Sequence, residues 1–145
     1  MIQEDKELLL KDLCERLLYR VIIQVKDWAS LDTELKIGHI NRLKNDDIEL
    51  KPYLRPMSSM TEEEKKELER LIDEKLNKHI VQEDDGWTPW VLYDTTGIKN
   101  YVGGERFYFD EMSFIYDWLN AHHFDYRGLI EKGLAIEAPE GMYNI

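Results

Sequence analysis

The sequence contains a single cysteine, Cys14, so an internal disulfide and a zinc site built from several cysteines are both excluded. Cys14 lies in a leucine-rich helical pattern, which favours a buried, inert thiol over a reactive nucleophile. No apolar run approaches the roughly 20 residues that a membrane-spanning helix needs, so no membrane contact is expected. The first residues carry mixed charge without a signal-peptide pattern, and we therefore expect a cytoplasmic location.

Basic side chains are scarce relative to acidic ones. Lys and Arg number 19 and Asp and Glu 30, which gives a formal net charge of -11. Because phosphate contacts need clustered Lys and Arg, direct nucleic-acid binding is not expected. The excess of acid favours solubility, and it also suits a basic partner or imitation of the charge of a nucleic acid. With 145 residues, of which 43% are hydrophobic and 34% charged, the chain has the composition of one globular domain covering 1–145.

Helical periodicity is clear in three places. Residues 3–18 place leucines every four positions, a pattern that predicts a helix with Asp12 facing away from the core. Thr61 and Glu64 form a capping box, the sequence signature of a helix start. A third helix is predicted to begin near Asp110 and to end near the two adjacent histidines.

Extended patterns separate these helices. β-branched residues crowd positions 21–25 and predict a strand, and the alternation in 33–40 predicts a second one. Residues 48–54 resume an extended pattern, but Pro52 and Pro56 lack the N–H that a sheet ladder needs, which favours an edge strand or an arm. Together with the helices, these patterns predict an α+β fold in which a small antiparallel sheet packs with about three helices.

Aromatic residues are dense in the predicted hairpin 87–109. Trp87, Trp90 and Tyr93 are residue types that anchor protein interfaces, but the same residues could form the core between sheet and helices. Arg55 lies between apolar and proline residues, where it either faces a partner or satisfies loop carbonyls as a structural stitch; the second interpretation is favoured. Arg55, Trp87, Trp90 and Tyr93 are therefore the candidate partner-binding residues.

His122, His123 and Asp125 form a candidate divalent-metal corner. Imidazole and carboxylate ligands suit zinc, manganese or iron, and a chain reversal can bring neighbouring ligands together. However, adjacent residues at a helix end point about 100° apart, so one histidine at most shares a site easily with Asp125. The interpretation favoured here is structural: His122 interacts with the helix dipole, and Asp125 caps the next turn or pairs with Arg127. No cofactor is predicted.

The segment from Thr61 to Asp85 is locally acidic. It holds ten acidic and five basic residues, and such a helix face could imitate phosphate spacing and occupy a DNA-binding protein. The interleaved basic residues also suit ordinary pairing along a solvated helix, which is the favoured interpretation.

Three blocks carry a resemblance to known sequences: residues 8–14 (LLLKDLC), 51–64 (KPYLRPMSSMTEEE) and 117–134 (DWLNAHHFDYRGLIEKGL), the last followed by 137–142 (EAPEGM). Together they resemble a family of short proteins encoded by phages, prophages and mobile elements of anaerobic gut bacteria. The resemblance implies an intracellular protein of a mobile element that acts on a partner rather than on a metabolite. It carries over no catalytic residue, and residues 19–49 and 77–108 have no counterpart in it.

These observations favour a non-enzymatic protein-interaction module that binds a host or phage protein. One alternative is a metal-dependent hydrolase or nuclease that uses His122, His123 and Asp125. The other is an acidic DNA mimic that inhibits a DNA-binding protein. The sequence leaves open the identity of the partner, the oligomeric state, and whether the aromatic hairpin is core or interface.

Overall fold

The structure, a computed structural model, describes residues 1–71 and 109–143. The chain divides into two compact units, one formed by Met1–Arg55 with Asn120–Ile145 and the other by Pro56–Leu119. The described residues combine helices with a small sheet, so the predicted α+β class is confirmed. The extension of a single domain over 1–145 stays a prediction.

The first unit begins with helix α1, Gln3–Arg16, which a short 3-10 turn at Leu17–Tyr19 follows. The buried side chains of α1 are Leu9, Asp12, Leu13 and Arg16. Their spacing of i, i+3, i+4 and i+7 is that of one helix face. The prediction that Asp12 faces away from the core is wrong, since its exposure is 0%. The predicted burial of Cys14 is also wrong, because the thiol lies on the exposed side of the same helix.

Strands β1, Ile22–Lys26, and β2, Ser30–Glu34, form an antiparallel hairpin. The strand expected at 21–25 is therefore confirmed within one residue. The turn between the two strands is tight, since the Asp27 backbone N–H donates to the Ala29 carbonyl at 3.2 Å and Trp28 lies at the tip.

Helix α2, Ile37–Lys44, stands where the alternation in 33–40 predicts a strand, so that prediction is wrong beyond Glu34. The His39 ring closes the start of the helix, because its Nδ1 accepts the Lys36 backbone N–H at 2.9 Å. Ile40 and Leu43, three residues apart, are buried on one face. An eight-residue helix offers too few turns for its period to stand out from alternation.

Strand β3, Glu49–Pro56, is a central strand, so its prediction as an edge strand or arm is wrong. The strand order is β2-β1-β3-β4, with β4 at Phe124–Asp125, and β5, Ile136–Glu137, also pairs with β3. The antiparallel ladder with β1 ends at Pro52, and a parallel pairing with β5 begins at Tyr53. The proline thus stands where β3 changes partners, so its missing N–H interrupts neither ladder internally.

The core of the first unit is formed by side chains from α1, α2 and one face of β1 and β3, closed by residues after β4. Its buried members are Leu9, Leu13, Val21, Ile23, Val25, Leu35, Ile40, Leu43, Ile48, Leu50, Leu54, Leu129, Leu134 and Ala135. Gly128 and Gly133 bracket the turn before β5 with φ of +73° and +75°, a conformation in which glycine carries no steric penalty.

In the second unit, residues 62–71 are helical (α3), and the predicted capping box is confirmed. The Thr61 backbone N–H donates to Glu64 Oε1 at 3.0 Å, and the Glu64 N–H donates to Thr61 Oγ1 at 3.1 Å. Helix α4, Phe109–Ala121, starts where the predicted aromatic hairpin ends. The rest of that hairpin, 87–108, lies outside the described residues. No helix in the described ranges is long and apolar enough to cross a membrane.

The neighbouring positions Leu13 and Cys14 test the face that α1 buries. Leu13→Ala removes a fully buried side chain and should lower the free energy of unfolding by about 2–5 kcal/mol. Cys14→Ala is the matched control, and a surface substitution should change that free energy by less than about 0.5 kcal/mol. Urea unfolding measures both variants, and equal losses would contradict the observed register of the helix.

Candidate functional site

The chain reverses direction directly after α4. His123 takes the left-handed conformation with φ of +63°, and its N–H donates to the Asn120 carbonyl at 3.1 Å. Its own carbonyl accepts the Arg55 backbone N–H at 2.8 Å, which places β4 beside β3. The reversal therefore brings the histidines, Asp125 and Arg55 into one neighbourhood of the first unit.

Asp125 is a structural cap. Its Oδ1 accepts the Leu129 N–H and its Oδ2 the Ile130 N–H, both at 2.9 Å, and the residue is 8% exposed. These bonds hold the turn that follows β4, as the capping interpretation expects. The suggested pairing with Arg127 does not occur, since that guanidinium bonds elsewhere.

His123 is buried and neutral. Its ring stacks on Tyr143, with centroids 3.7 Å apart and an interplanar angle of 16°. Burial, helped by the positive charges of Arg16, His122 and Arg55, lowers the pKa of His123 to about 4. Its Nδ1 is buried and has no hydrogen-bond partner in the described part of the chain.

The predicted metal corner is not favoured by this arrangement. Both oxygens of Asp125 are used by backbone N–H groups, and cationic side chains act on His123, where a metal ion would add further positive charge. Across residues 1–71 and 109–143, no group of three or more His, Cys, Asp or Glu is placed to hold a metal ion. Metal binding by His122, His123 and Asp125 stays a prediction from sequence that no contact here supports.

Arg55 has the geometry of the structural stitch. The side chain is half-buried, its Nη1 donates to the His122 carbonyl at 3.3 Å, and its guanidinium carbon lies 4.2 Å from the centroid of the Phe124 ring. These contacts tie β3 to the reversal and use the planar face of the guanidinium for stacking. A partner-facing role for Arg55 stays a prediction.

A buried ion network fastens α1 to the reversal, and the sequence patterns did not indicate it. The Asp12 carboxylate accepts Arg16 Nε at 2.8 Å on one oxygen and Arg127 Nη1 at 2.6 Å on the other. Arg16 Nη2 donates to the Phe124 carbonyl at 2.7 Å. The spacing of Asp12 and Arg16, four residues apart and next to the leucine stripe, is the signal that could have revealed the pair.

The outer side of this network is partly solvated. Arg127 also donates a hydrogen bond to Glu15. Partial burial raises the pKa of Glu15, but the hydrogen bond and the charge of Arg127 outweigh this effect, so the pKa lies below its ordinary value. Burial raises the pKa of Tyr126 to about 12, so its hydroxyl stays protonated. That hydroxyl lies 3.1 Å from Glu15 Oε2 and 2.9 Å from Asn120 Oδ1, and its proton can serve one of them at a time. Two carboxylates thus balance two guanidiniums, which leaves the network with a structural role.

Tyr143 fastens the C-terminal segment to the sheet. Its hydroxyl donates to the Tyr53 carbonyl at 2.7 Å and accepts the Ile22 N–H at 2.9 Å, while its ring covers His123. Burial raises the pKa of Tyr143 to about 12, so the hydroxyl keeps the proton that it donates.

The β1–β2 hairpin presents apolar side chains to solvent. Trp28 at its tip is 94% exposed, and Leu31 on β2 is 63% exposed. The large hydrophobic residues exposed in the described ranges are Met1, Ile2, Leu18, Trp28, Leu31 and Ile37, of which half fall within residues 28–37. Trp28 was visible in the sequence as an aromatic residue at the end of a strand, but the pattern did not mark it as a contact.

Two sets of predicted residues receive no test from these contacts. Trp87, Trp90 and Tyr93 lie outside the described residues. The acidic segment beginning at Thr61 is described only as far as residue 71, so its role as a nucleic-acid mimic stays a prediction.

Comparison of the chain with protein-family models, with curated proteins and with solved structures gave no match. The resemblance to phage and mobile-element proteins therefore stays a prediction that rests on the three sequence blocks.

Asp12 and Asp46 form a matched pair for testing the buried network. Asp12→Asn leaves two guanidiniums without their shared charge, and breaking a buried ion pair should lower the free energy of unfolding by about 3–5 kcal/mol. Asp46→Asn removes an ion pair with Lys6 in which the Asp46 side chain is 79% exposed. This change should lower the free energy of unfolding by about 0–1 kcal/mol. Denaturant unfolding compares the two, and a small loss for Asp12→Asn would mean that the network does not fasten the fold.

His123 should make stability depend on pH. Its pKa of about 4 in the folded chain lies below the ordinary value of 6.5, so the unfolded chain binds more protons between these values. Its contribution to stability should be complete above pH 6.5 and should be lost as the pH falls towards 4. His123→Phe keeps a ring against Tyr143 and removes the titration. The unfolding free energy of the wild type minus that of the variant should therefore decrease as the pH falls from 6.5 to 4. If the two unfolding free energies stay parallel over this pH range, His123 is not a buried, neutral histidine.

Proposed function

We propose that this chain is a non-enzymatic protein-interaction module whose contact surface is the β1–β2 hairpin. The observation that carries the proposal is the 94% exposure of Trp28. Tryptophan loses little conformational freedom on binding and is among the residues most enriched at the energetic centres of interfaces. A fully exposed tryptophan that contributes nothing to the core is best explained by a contact outside the chain.

Leu31 supports the same surface. It pairs with the buried Val25 across the hairpin, so its side chain continues the core-facing side of the sheet into solvent. An exposed apolar extension of this kind marks a contact site more often than an isolated surface leucine does.

Three polar side chains in the described part of the chain are committed to contacts that hold the fold. Asp125 caps a turn, Arg55 stacks on Phe124, and the Asp12 carboxylate holds two guanidiniums. This supports an interaction role over the hydrolase alternative. A host or phage protein as the partner, and a mobile-element origin, are proposals that rest on the sequence resemblance.

Trp28→Ala tests the proposal, with Leu18→Ala as the matched control. Both side chains are largely exposed, so both variants should keep the unfolding free energy within about 0.5 kcal/mol. A partner is captured from lysate with the wild-type chain, identified by mass, purified, and titrated against each variant. Trp28→Ala should weaken binding by about 2 kcal/mol or more, as truncation of a central anchor does, while Leu18→Ala should leave it unchanged.

Equal affinity of the two variants for the same purified partner would contradict the proposal, because the contact surface would then lie away from the hairpin.

A further inference from the structure

The outer edge of β2 carries unpaired backbone groups. β2 ends the strand order of the described sheet. The Leu35 N–H donates to the Val21 carbonyl at 2.9 Å, and the register pairs Thr33 with Ile23. Because backbone groups in an antiparallel pair point alternately to either side, the odd-numbered residues of β2 face β1.

The groups that face outward therefore belong to Ser30, Asp32 and Glu34. Within residues 1–71 and 109–143, no hydrogen bond involves their backbone N–H or carbonyl groups. Such an edge is a template on which a further strand can pair.

The two faces of β2 differ in chemistry. Asp32 lies on the polar face, where its Oδ1 accepts the Tyr53 hydroxyl at 2.9 Å. Leu31 and Thr33 alternate with it on the core-facing side, opposite Val25 and Ile23. A strand added in register would thus meet carboxylates on one face and Leu31 on the other.

The charge of β2 indicates which kind of segment could pair with its edge. The β2 sequence, Ser-Leu-Asp-Thr-Glu, holds two carboxylates and no basic residue, and the chain as a whole carries -11. Lys36 and Arg20 approach Glu34 at 2.8 and 3.7 Å, whereas Asp32 has no ion pair in the described part of the chain. Opposite charges that face each other across a strand pair stabilise it, and like charges destabilise it.

We propose that the hairpin binds an extended segment of a partner protein in which basic and apolar residues alternate, and that this segment adds to β2 as an antiparallel strand. The inference rests on the proposed interaction function and names the chemistry of the partner. A basic side chain would face Asp32, which has no ion pair in the described residues, and apolar ones would lie beside Leu31.

A second copy of this chain fits the edge less well. A twofold pairing centred on Asp32 would set that carboxylate against its own copy and would bring together two chains of charge -11. Charged residues prevent many edge strands from pairing with a second copy of the same chain. That role does not account for the exposed Trp28 and Leu31 in the same hairpin.

A labelled seven-residue peptide, Val-Lys-Val-Lys-Val-Lys-Val, tests the inference by fluorescence anisotropy against the full chain. The same peptide with Glu in place of Lys should not bind at concentrations that saturate the first. In an antiparallel pair, the peptide residues that exchange hydrogen bonds with Asp32 share its face and are the lysines. N-methylation of the lysine nitrogens should therefore abolish binding, whereas N-methylation of the valine nitrogens should leave it intact.

Protein variants locate the peptide. Asp32→Asn should weaken binding by about two- to fivefold, the size of one cross-strand charge pair, while Asp46→Asn, away from the hairpin, should leave it unchanged. Amide hydrogen exchange should slow on peptide addition at Ser30, Asp32 and Glu34. Equal binding of all N-methylated forms, or no slowing at these three amides, would overturn strand addition. Strand addition by a partner would also be overturned if the free chain dimerised with rising concentration in sedimentation and the same three amides exchanged slowly in the dimer.

The two proposals fail separately. If Trp28→Ala loses the captured partner but the N-methylation pattern is absent, strand addition is wrong and the interaction surface stands. If the peptide binds with the expected pattern but Trp28→Ala keeps the partner, strand addition stands as a property of the edge, and the proposed function is wrong.

Discussion

The first unit depends on one buried carboxylate. Asp12 joins Arg16 of its own helix to Arg127 beyond the reversal, and Arg16 in turn bonds the Phe124 carbonyl. Residues more than 100 positions apart in the chain are thereby joined through the side chains of Asp12 and Arg16, which are fully buried. The position of β4 against β3, the cap made by Asp125 and the stacking of His123 all follow from the fixed path of this reversal.

This constraint engages polar residues that maintain the fold, whereas the surface that we propose for binding is the β1–β2 hairpin. In the sequence, the histidines and Asp125 stand out because they crowd at a helix end, and Arg55 because apolar and proline residues flank it. The contacts of Asp125, His123 and Arg55 are those of packing. The hairpin is different, since Trp28 and the outer backbone groups of β2 have no role in the described core. An edge strand whose outward backbone groups have no hydrogen-bond partner among the described residues is the arrangement that strand addition requires.

The local signals in the sequence were sufficient where they involve neighbouring residues. The capping box at Thr61 and Glu64 and the β-branched strand at 21–25 depend on short-range chemistry, and both are confirmed. The burial of Asp12 was missed: its spacing from Arg16 was a local signal for the pair, but its second partner, Arg127, lies 115 residues away. The central position of β3 was missed for a similar reason: proline is tolerated there because the strand changes partners at Pro52, which only the pairing reveals.

The measurement that tests this account most directly is amide hydrogen exchange of the free chain, resolved residue by residue along β2. We expect an alternation: Leu31, Thr33 and Leu35, which face β1, should exchange slowly, and Ser30, Asp32 and Glu34 should exchange rapidly from an uncovered edge. Slow exchange at all six amides in the monomeric chain would show that the edge is already covered, and it would contradict the account of β2 as the binding surface.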